Sequence, residues 1–273
     1  SVKEATPRIL ETFAFPDSLQ YKRIIQWTHE REFHKMDIRQ PDTSYNYWFH
    51  DYPFYRKDVN ATWLGVAGSA LQYYNWFNRS SENGVSFYNP YEAWTYSAKT
   101  LPMYNTKTPY TELAYFGTIF ANSQKESDNL HILTSQNIFP ALNYTLEYNR
   151  FGGNGIMQNE KTTNKTFVAS VNYLGKRYLM HAGYIHNKVS RNENGGTSDN
   201  KMVSDTTLDA REYPVNLSNA SSNIIRNTLF LDQQYRIPFT FIRNIQDRKV
   251  DKAFKDSVTA SGDSAMIASL GEL

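Results

Sequence analysis

Apolar and polar residues alternate with a period of two along the middle of the chain, the pattern of β-strands with two unlike faces. From Leu142 to Asn149, Leu and Tyr occupy one side while Asn, Thr and Glu occupy the other. The alternation returns over 166–173, and again from Tyr178 after a short stretch around Gly175. We predict that these last two stretches are antiparallel strands of about ten residues joined by a tight turn.

The same criterion predicts further strands and roughly nine or ten in all, at a spacing typical of all-β proteins. The stretch TELAYFGTIFA is apolar on both sides, so its facing cannot be predicted. The further strands are Leu19–Glu30, Glu32–Ile38, Ala61–Phe77 with a break near Gly68, Thr111–Ala121, Leu130–Ile138 and Ile224–Tyr235.

The connections between these strands are unequal. The turn at Gly175 is minimal, whereas Arg150–Lys165 and Asn187–Ser222 are predicted to be long polar loops. Outer-membrane barrels have short turns on one side and long loops on the other. We therefore predict an all-β, antiparallel transmembrane β-barrel, with strands and loops in 1–243 and a polar, charged loop or tail in 244–273. The chain ends without an aromatic-rich closing strand, so we expect an incomplete, N-terminal portion of the barrel.

In such a barrel the apolar side of each strand faces lipid and the polar side faces the lumen. The tyrosines would then form an aromatic girdle at the membrane interfaces. Val171→Arg is expected to cost about 2–4 kcal/mol, and Asn172→Arg is expected to be tolerated. The lipid-facing candidates are Tyr144, Tyr148, Phe167, Val171, Tyr173, Met180 and Tyr184, and the lumen-facing candidates are Asn143, Thr145, Glu147, Ser170, Asn172, Arg177 and His181.

Composition narrows the function classes. The 273 residues include 29 Lys+Arg and 27 Asp+Glu, a net charge of +2, which argues against broad electrostatic capture of nucleic acid. The absence of Cys excludes disulfides, Cys-ligated zinc and thiol catalysis. Aromatic residues make up 15% of the chain, which is unlike a disordered protein. No apolar run is long enough for a transmembrane helix, but transmembrane strands need only about 9–11 residues.

No residue pattern predicts catalysis or a bound cofactor. His181 and His186 lie five apart on one predicted strand, so they point to opposite faces and cannot share a metal. His131 and Ser135 share a face but lie about 13 Å apart along the strand, too far for a hydrogen bond. We therefore predict no catalytic, cofactor-binding or metal site, and a protein that is not an enzyme.

Five stretches carry a resemblance to a known family: TPYTEL (Thr108–Leu113), HILTSQNIFPALNYTLEYNR (His131–Arg150), NKVSRNENGG (Asn187–Gly196), DQQYRIPF (Asp232–Phe239) and WLGVAGSAL (Trp63–Leu71). Through them most of 15–240 resembles the "putative porin" family of outer-membrane β-barrels found in Bacteroidota. The resemblance implies a barrel exported through the periplasm to the outer membrane. Members of that family are markedly longer, which again implies an N-terminal part.

These observations together predict a porin-like barrel of the cell envelope. It would allow passive diffusion of small hydrophilic solutes, or serve as a structural part of an envelope assembly, with lumen width and lining charge setting transport. The expected partners are outer-membrane lipid, the solutes and other envelope proteins, and not nucleic acid. The alternative is a secreted or surface-attached β-sandwich that binds carbohydrate through exposed Tyr and Trp.

Overall fold

The computed structural model describes residues 22–30, 35–39, 41, 60–79, 88–117, 127–199, 209–235, 252–253 and 256–257, and the structural statements below refer to these residues. This part of the chain contains eleven strands and short 3-10 helices. The strands are β1 Ile24–Glu30, β2 Lys35–Arg39, β3 Ala61–Trp63, β4 Leu71–Tyr73, β5 Met103–Thr106, β6 Tyr110–Gly117, β7 Asp128–Phe139, β8 Leu142–Asn154, β9 Lys161–Leu174, β10 Tyr178–Glu193 and β11 Ala220–Tyr235.

The main element is a six-stranded sheet in the order β11-β10-β9-β8-β7-β6, so strands adjacent in the chain are adjacent in space. From β6 to β10 every neighbouring pair is antiparallel. Val171 lies opposite Tyr144 on one side and Ala182 on the other. Within the described residues the sheet ends at β6 and β11 and does not close into a barrel.

Tight connections join β7 to β8 and β9 to β10. The second spans 175–177 and is closed by a hydrogen bond of 2.9 Å from the Gly175 amide to the Tyr178 carbonyl. This confirms the predicted hairpin, although both of its strands are longer than predicted. In β7 the register shifts between Asn137 and Phe139, which marks a β-bulge immediately before the first turn.

The predicted loops were too long. Arg150–Lys165 is mostly strand, because β8 continues to Asn154, β9 begins at Lys161 and only 155–160 connects them. Likewise β10 continues to Glu193, so the second connection begins at 194, and its residues 200–208 lie outside the described part. The pattern failed there because both faces become polar while the backbone stays extended.

Other predicted strands differ in extent. The predicted strand Ala61–Phe77 is a hairpin of two short strands, β3 and β4, and its end belongs to a 3-10 helix over Trp76–Asn78. The break predicted near Gly68 lies in the connection of that hairpin, where Gly68 has a φ of +92°. Residues 19–21, 32–34 and 118–121 of the other predictions lie outside the described part.

A second, three-stranded sheet in the order β2-β1-β5 packs against one face of the large sheet. The core lies between the two sheets. Its small-sheet members include Ile25, Trp27 and Met103, which cluster with Val168, Ile185 and Phe230 of the large sheet. A smaller cluster joins the β3–β4 hairpin and the 3-10 helix Asn89–Trp94 to the end of β8. The four-residue β5 was not predicted, because so short a strand shows no readable alternation.

The chain divides into two compact units, 1–233 and 234–273. Of the segment 244–273, predicted to be a polar loop or tail, only 252–253 and 256–257 are described, and both pairs are helical. Among the described residues, no helix has the length and apolar character needed to cross a lipid bilayer.

Candidate functional site

The large sheet has two unlike faces, and they separate the two sets of candidate residues. The inner face points toward the small sheet, and the outer face points away from it. Six of the seven lumen-facing candidates are buried on the inner face, whereas Arg177 is exposed in the β9–β10 turn. All seven lipid-facing candidates share the outer face. The assignment of these faces to lumen and lipid stays a prediction.

The outer face is apolar and exposed. Leu113 of β6 is 72% exposed and Leu229 of β11 is 83% exposed, and Ile132, Leu146 and Phe167 between them are also exposed. In a soluble sheet the exposed face is the polar one and the apolar face packs on the core. Here the fully buried inner positions include Asn143 and Asn172, so the usual arrangement is reversed over much of the sheet.

Charged and aromatic residues bound this apolar band. At one end a cross-strand row of basic residues lies on the outer face, since Lys165 is opposite both Arg150 and Lys188. At the turn end the aromatic rings cluster. Tyr173 contacts Tyr178 with ring centroids 5.8 Å apart, and Phe139 approaches Tyr173 edge-on at 6.3 Å. The outer face therefore changes along the strands from a basic row, through a band of mixed aliphatic and aromatic residues, to the aromatic cluster at the turn end.

On the inner face a charged cluster spans β6, β7 and β8. His131 lies between two carboxylates, with its Nδ1 3.3 Å from Glu112 Oε1 and its Nε2 3.1 Å from Glu147 Oε1. Only the imidazolium form of the ring can donate from both nitrogens at once. The cluster is therefore an ion network in which one cation bridges two anions, with Glu147 buried and His131 and Glu112 partly exposed.

Neutral groups complete the shell of Glu147, whose side chain is 2% exposed. Its Oε1 accepts from the Tyr96 hydroxyl at 2.8 Å and from Asn149 Nδ2 at 2.9 Å. Its Oε2 is buried and finds no hydrogen-bond partner among the described residues. Tyr96 belongs to the segment that covers the sheet, so this carboxylate links the covering segment to the sheet.

A ladder of amides continues the inner face toward the turn end. Asn143 Nδ2 donates to Asn137 Oδ1 at 2.7 Å, and Asn137 Nδ2 donates to Asn105 Oδ1 at 3.1 Å. Asn172, 1% exposed, donates to the Tyr104 carbonyl at 2.9 Å. This burial removes the expectation that Asn172→Arg is tolerated, since no open space receives a longer, charged side chain.

The histidines and the serine considered for a metal site or for catalysis have other partners. Ser135 donates its hydroxyl hydrogen to Asn143 Oδ1 at 3.1 Å, while His131 is held by the two glutamates. His181 Nε2 accepts from Trp27 Nε1 at 3.1 Å on the inner face. His186 lies on the outer face, 2.6 Å from Asn227 Oδ1. The prediction that His181 and His186 point to opposite faces is confirmed.

A small cavity of about 30 Å³ lies beside the charged cluster. Its walls combine polar side chains with the stacked rings of Trp94 and Phe151, whose centroids are 4.5 Å apart. This volume accommodates water and not an organic ligand. Besides those rings, the cavity is lined by Ala93, Thr95, Tyr96, Asn129, Asn149, Asn164 and Thr166.

Sequence reasoning missed most partners of the inner-face residues. Glu112 was not singled out because its strand is apolar on both sides, so no facing could be assigned to it. Tyr96 and Asn105 lie in the covering segment, and their contacts join residues far apart in sequence. One signal was present: Glu112, His131 and Glu147 all lie within two of the stretches that resemble the porin family.

The fold and these faces define a class: an antiparallel β-sheet protein whose buried sheet face is largely polar and whose exposed sheet face carries an apolar band. A family model described as "Putative porin" matches residues 23–265. The match covers most of the chain and both faces of the large sheet, and the chain belongs to this family. No curated protein and no solved structure matches the chain.

Proposed function

We propose that this chain forms part of a porin-like β-barrel in a bacterial outer membrane, with the outer face of the large sheet in lipid. The protein would belong to the Bacteroidota and have no catalytic role. It would allow passive diffusion of small hydrophilic solutes or form a structural part of an envelope assembly. The reversed distribution of polarity over the two faces of the sheet carries this proposal.

The height of the apolar band supports a membrane location. Lys165 and Lys176 are the charged residues that bracket the band along β9 and its turn. The eleven residue steps from Lys165 to Lys176 span about 36 Å at ~3.3 Å per residue. A barrel tilt of about 40° reduces this to about 28 Å, close to the ~25 Å apolar band of outer-membrane barrels.

The basic row has a role in the same arrangement. Like charges directly opposite one another destabilise a sheet in water. Arg150 has a carboxylate partner in Asp128, at 3.4 Å. Lys165 and Lys188 lie opposite each other on the outer face, at the edge of the apolar band. Phosphates of lipid headgroups would offset their repulsion there, and the aromatic cluster would lie at the opposite interface.

The competing function is a soluble β-sandwich that binds carbohydrate. It would leave Leu113 and Leu229 exposed to water, together with much of an apolar face. Large exposed apolar patches on soluble proteins mark interfaces or cause aggregation. The two proposals therefore differ in whether the outer face of the large sheet contacts lipid or water, and this difference can be measured.

The test is membrane flotation with a heat-modifiability gel, applied to the protein from native envelopes. The expected result is that it floats with the membranes after a carbonate wash, and that unheated samples migrate faster than boiled ones. A protein that stays in the soluble fraction without detergent, with identical heated and unheated bands, would refute the barrel and leave the carbohydrate-binding module.

A further inference from the structure

The inner face of the large sheet is covered by the earlier part of the same chain. We use the name plug segment for the described residues between 22 and 107. It contains the β3–β4 hairpin, the 3-10 helix Asn89–Trp94 and the small sheet. Polar side chains of the large sheet bind this segment at three levels along the strands, from the basic end to the turn end.

At the basic end the contacts are made by β9. Asn164 Nδ2 donates to the Gly68 carbonyl at 2.8 Å, and Thr162 Oγ1 donates to the Ala67 carbonyl. Gly68 makes this close approach possible. A Cβ there would meet Thr162 Oγ1 at 3.0 Å and Asn164 Nδ2 at 3.1 Å, and its φ of +92° suits glycine.

At the middle level a buried amide binds the backbone as a neighbouring strand would. Asn187 Nδ2 donates to the Tyr96 carbonyl at 2.8 Å, and the Tyr96 amide donates to Asn187 Oδ1 at 3.2 Å. The Tyr96 hydroxyl also donates to Glu147. One residue of the plug segment is thus fixed at its backbone and at the tip of its side chain.

At the turn end the small sheet is held by amides and an indole. Asn172 donates to the Tyr104 carbonyl, and the Thr106 amide donates to Asn137 Oδ1 at 3.0 Å. Trp27 donates to His181. Apolar contacts of the core between the two sheets surround these bonds.

We propose that the plug segment is an internal plug, and that the polar inner face is an interaction surface for an extended backbone of this chain. An open lumen would present these amides to water and solutes. Here they bind carbonyl and amide groups, which are costly to bury without partners. Solute passage past the described strands then requires the plug segment to move. This inference rests on the proposed barrel.

The absence of Cys from the chain permits a labelling test with single cysteines. The full chain is placed in lipid nanodiscs, where both membrane sides meet the reagent, and treated with a charged, water-soluble maleimide. Ser170→Cys reports the inner face, where Ser170 is 3% exposed. Lys176→Cys reports the exposed turn, and Leu229→Cys reports the outer face.

The plug predicts that Ser170→Cys reacts at least about 10-fold more slowly than Lys176→Cys, because labelling needs a local opening. Adding Asn172→Ala and Asn187→Ala removes hydrogen bonds to the plug segment and should accelerate Ser170→Cys about 10-fold. The matched control is Asn227→Ala, an Asn→Ala change on the outer face, which should leave that rate unchanged. If the unheated double variant no longer migrates faster than the boiled one, it has not folded, and Asn187→Ala alone is measured instead.

The outcomes separate the plug from the barrel. Fast labelling of Ser170→Cys with slow labelling of Leu229→Cys would overturn the plug and leave the barrel. Fast labelling of Leu229→Cys would instead refute the lipid-facing outer face. Slow labelling of Ser170→Cys that the Asn→Ala changes do not accelerate would overturn the hydrogen-bonded plug.

Discussion

Val171→Arg tests which solvent surrounds the outer face. Val171 lies on that face between Tyr144 and Ala182, six positions from Lys165 and five from Lys176, and so near the middle of the apolar band. An arginine at the midplane of a transmembrane barrel costs about 2–4 kcal/mol, and near an interface about 0–1 kcal/mol. Thr163→Arg is the matched control, because Thr163 has the same strand and face but lies beyond the basic row.

The measurement is equilibrium urea unfolding of the full chain in lipid vesicles, followed by the fluorescence of its five Trp. The free energy of unfolding should fall by about 2–4 kcal/mol for Val171→Arg and by less than about 1 kcal/mol for Thr163→Arg. On a water-exposed face both arginines would be tolerated to within about 0.5 kcal/mol. Equal costs for the two variants would therefore refute the lipid assignment.

Two further predictions concern the inner face, and both use the same urea titration. His131→Leu leaves Glu112 and Glu147 without their shared cation and should lower the free energy of unfolding by about 3–5 kcal/mol. Adding Glu147→Gln to the same chain removes the buried charge and should restore part of this loss. Strictly additive effects of those two changes would contradict the ion network. Asn172→Arg should also cost about 3–5 kcal/mol, because it buries a guanidinium without a partner in place of the bond to Tyr104. A free energy of unfolding for Asn172→Arg equal to that of the unsubstituted chain would contradict this burial.

The sequence was informative where one strand carries its own pattern. The alternation of apolar and polar residues in Leu142–Asn149 and in 166–173 was enough to separate the two faces of the sheet, because successive side chains point to opposite sides. The same reasoning failed at Arg150 and Lys165. There the outer positions become basic, so the alternation disappears although the strands continue. A polarity pattern reports the surroundings of a strand, and not only its backbone.

The contacts of the inner face depend on register and on distant segments. Glu112 and Glu147 both lie opposite Leu133, which brings them to either side of the next inward residue, His131. No local pattern fixes the register of β6 against β7, because residues 118–127 separate these two strands. The bonds from Asn187 to Tyr96 join positions 91 residues apart, and nothing in the sequence near either one predicts the other.

The strands do not end at the basic row. With the outer face in lipid, β8 continues from Arg150 to Asn154 and β9 begins at Lys161, so a collar about 13 Å long along the strands stands above the membrane on that side. On the other side the described turns at 140–141 and 175–177 lie close to the aromatic cluster, and the strands that they join end there. An antibody or bacteriophage selected against this collar would therefore bind the folded protein from one side of the membrane only.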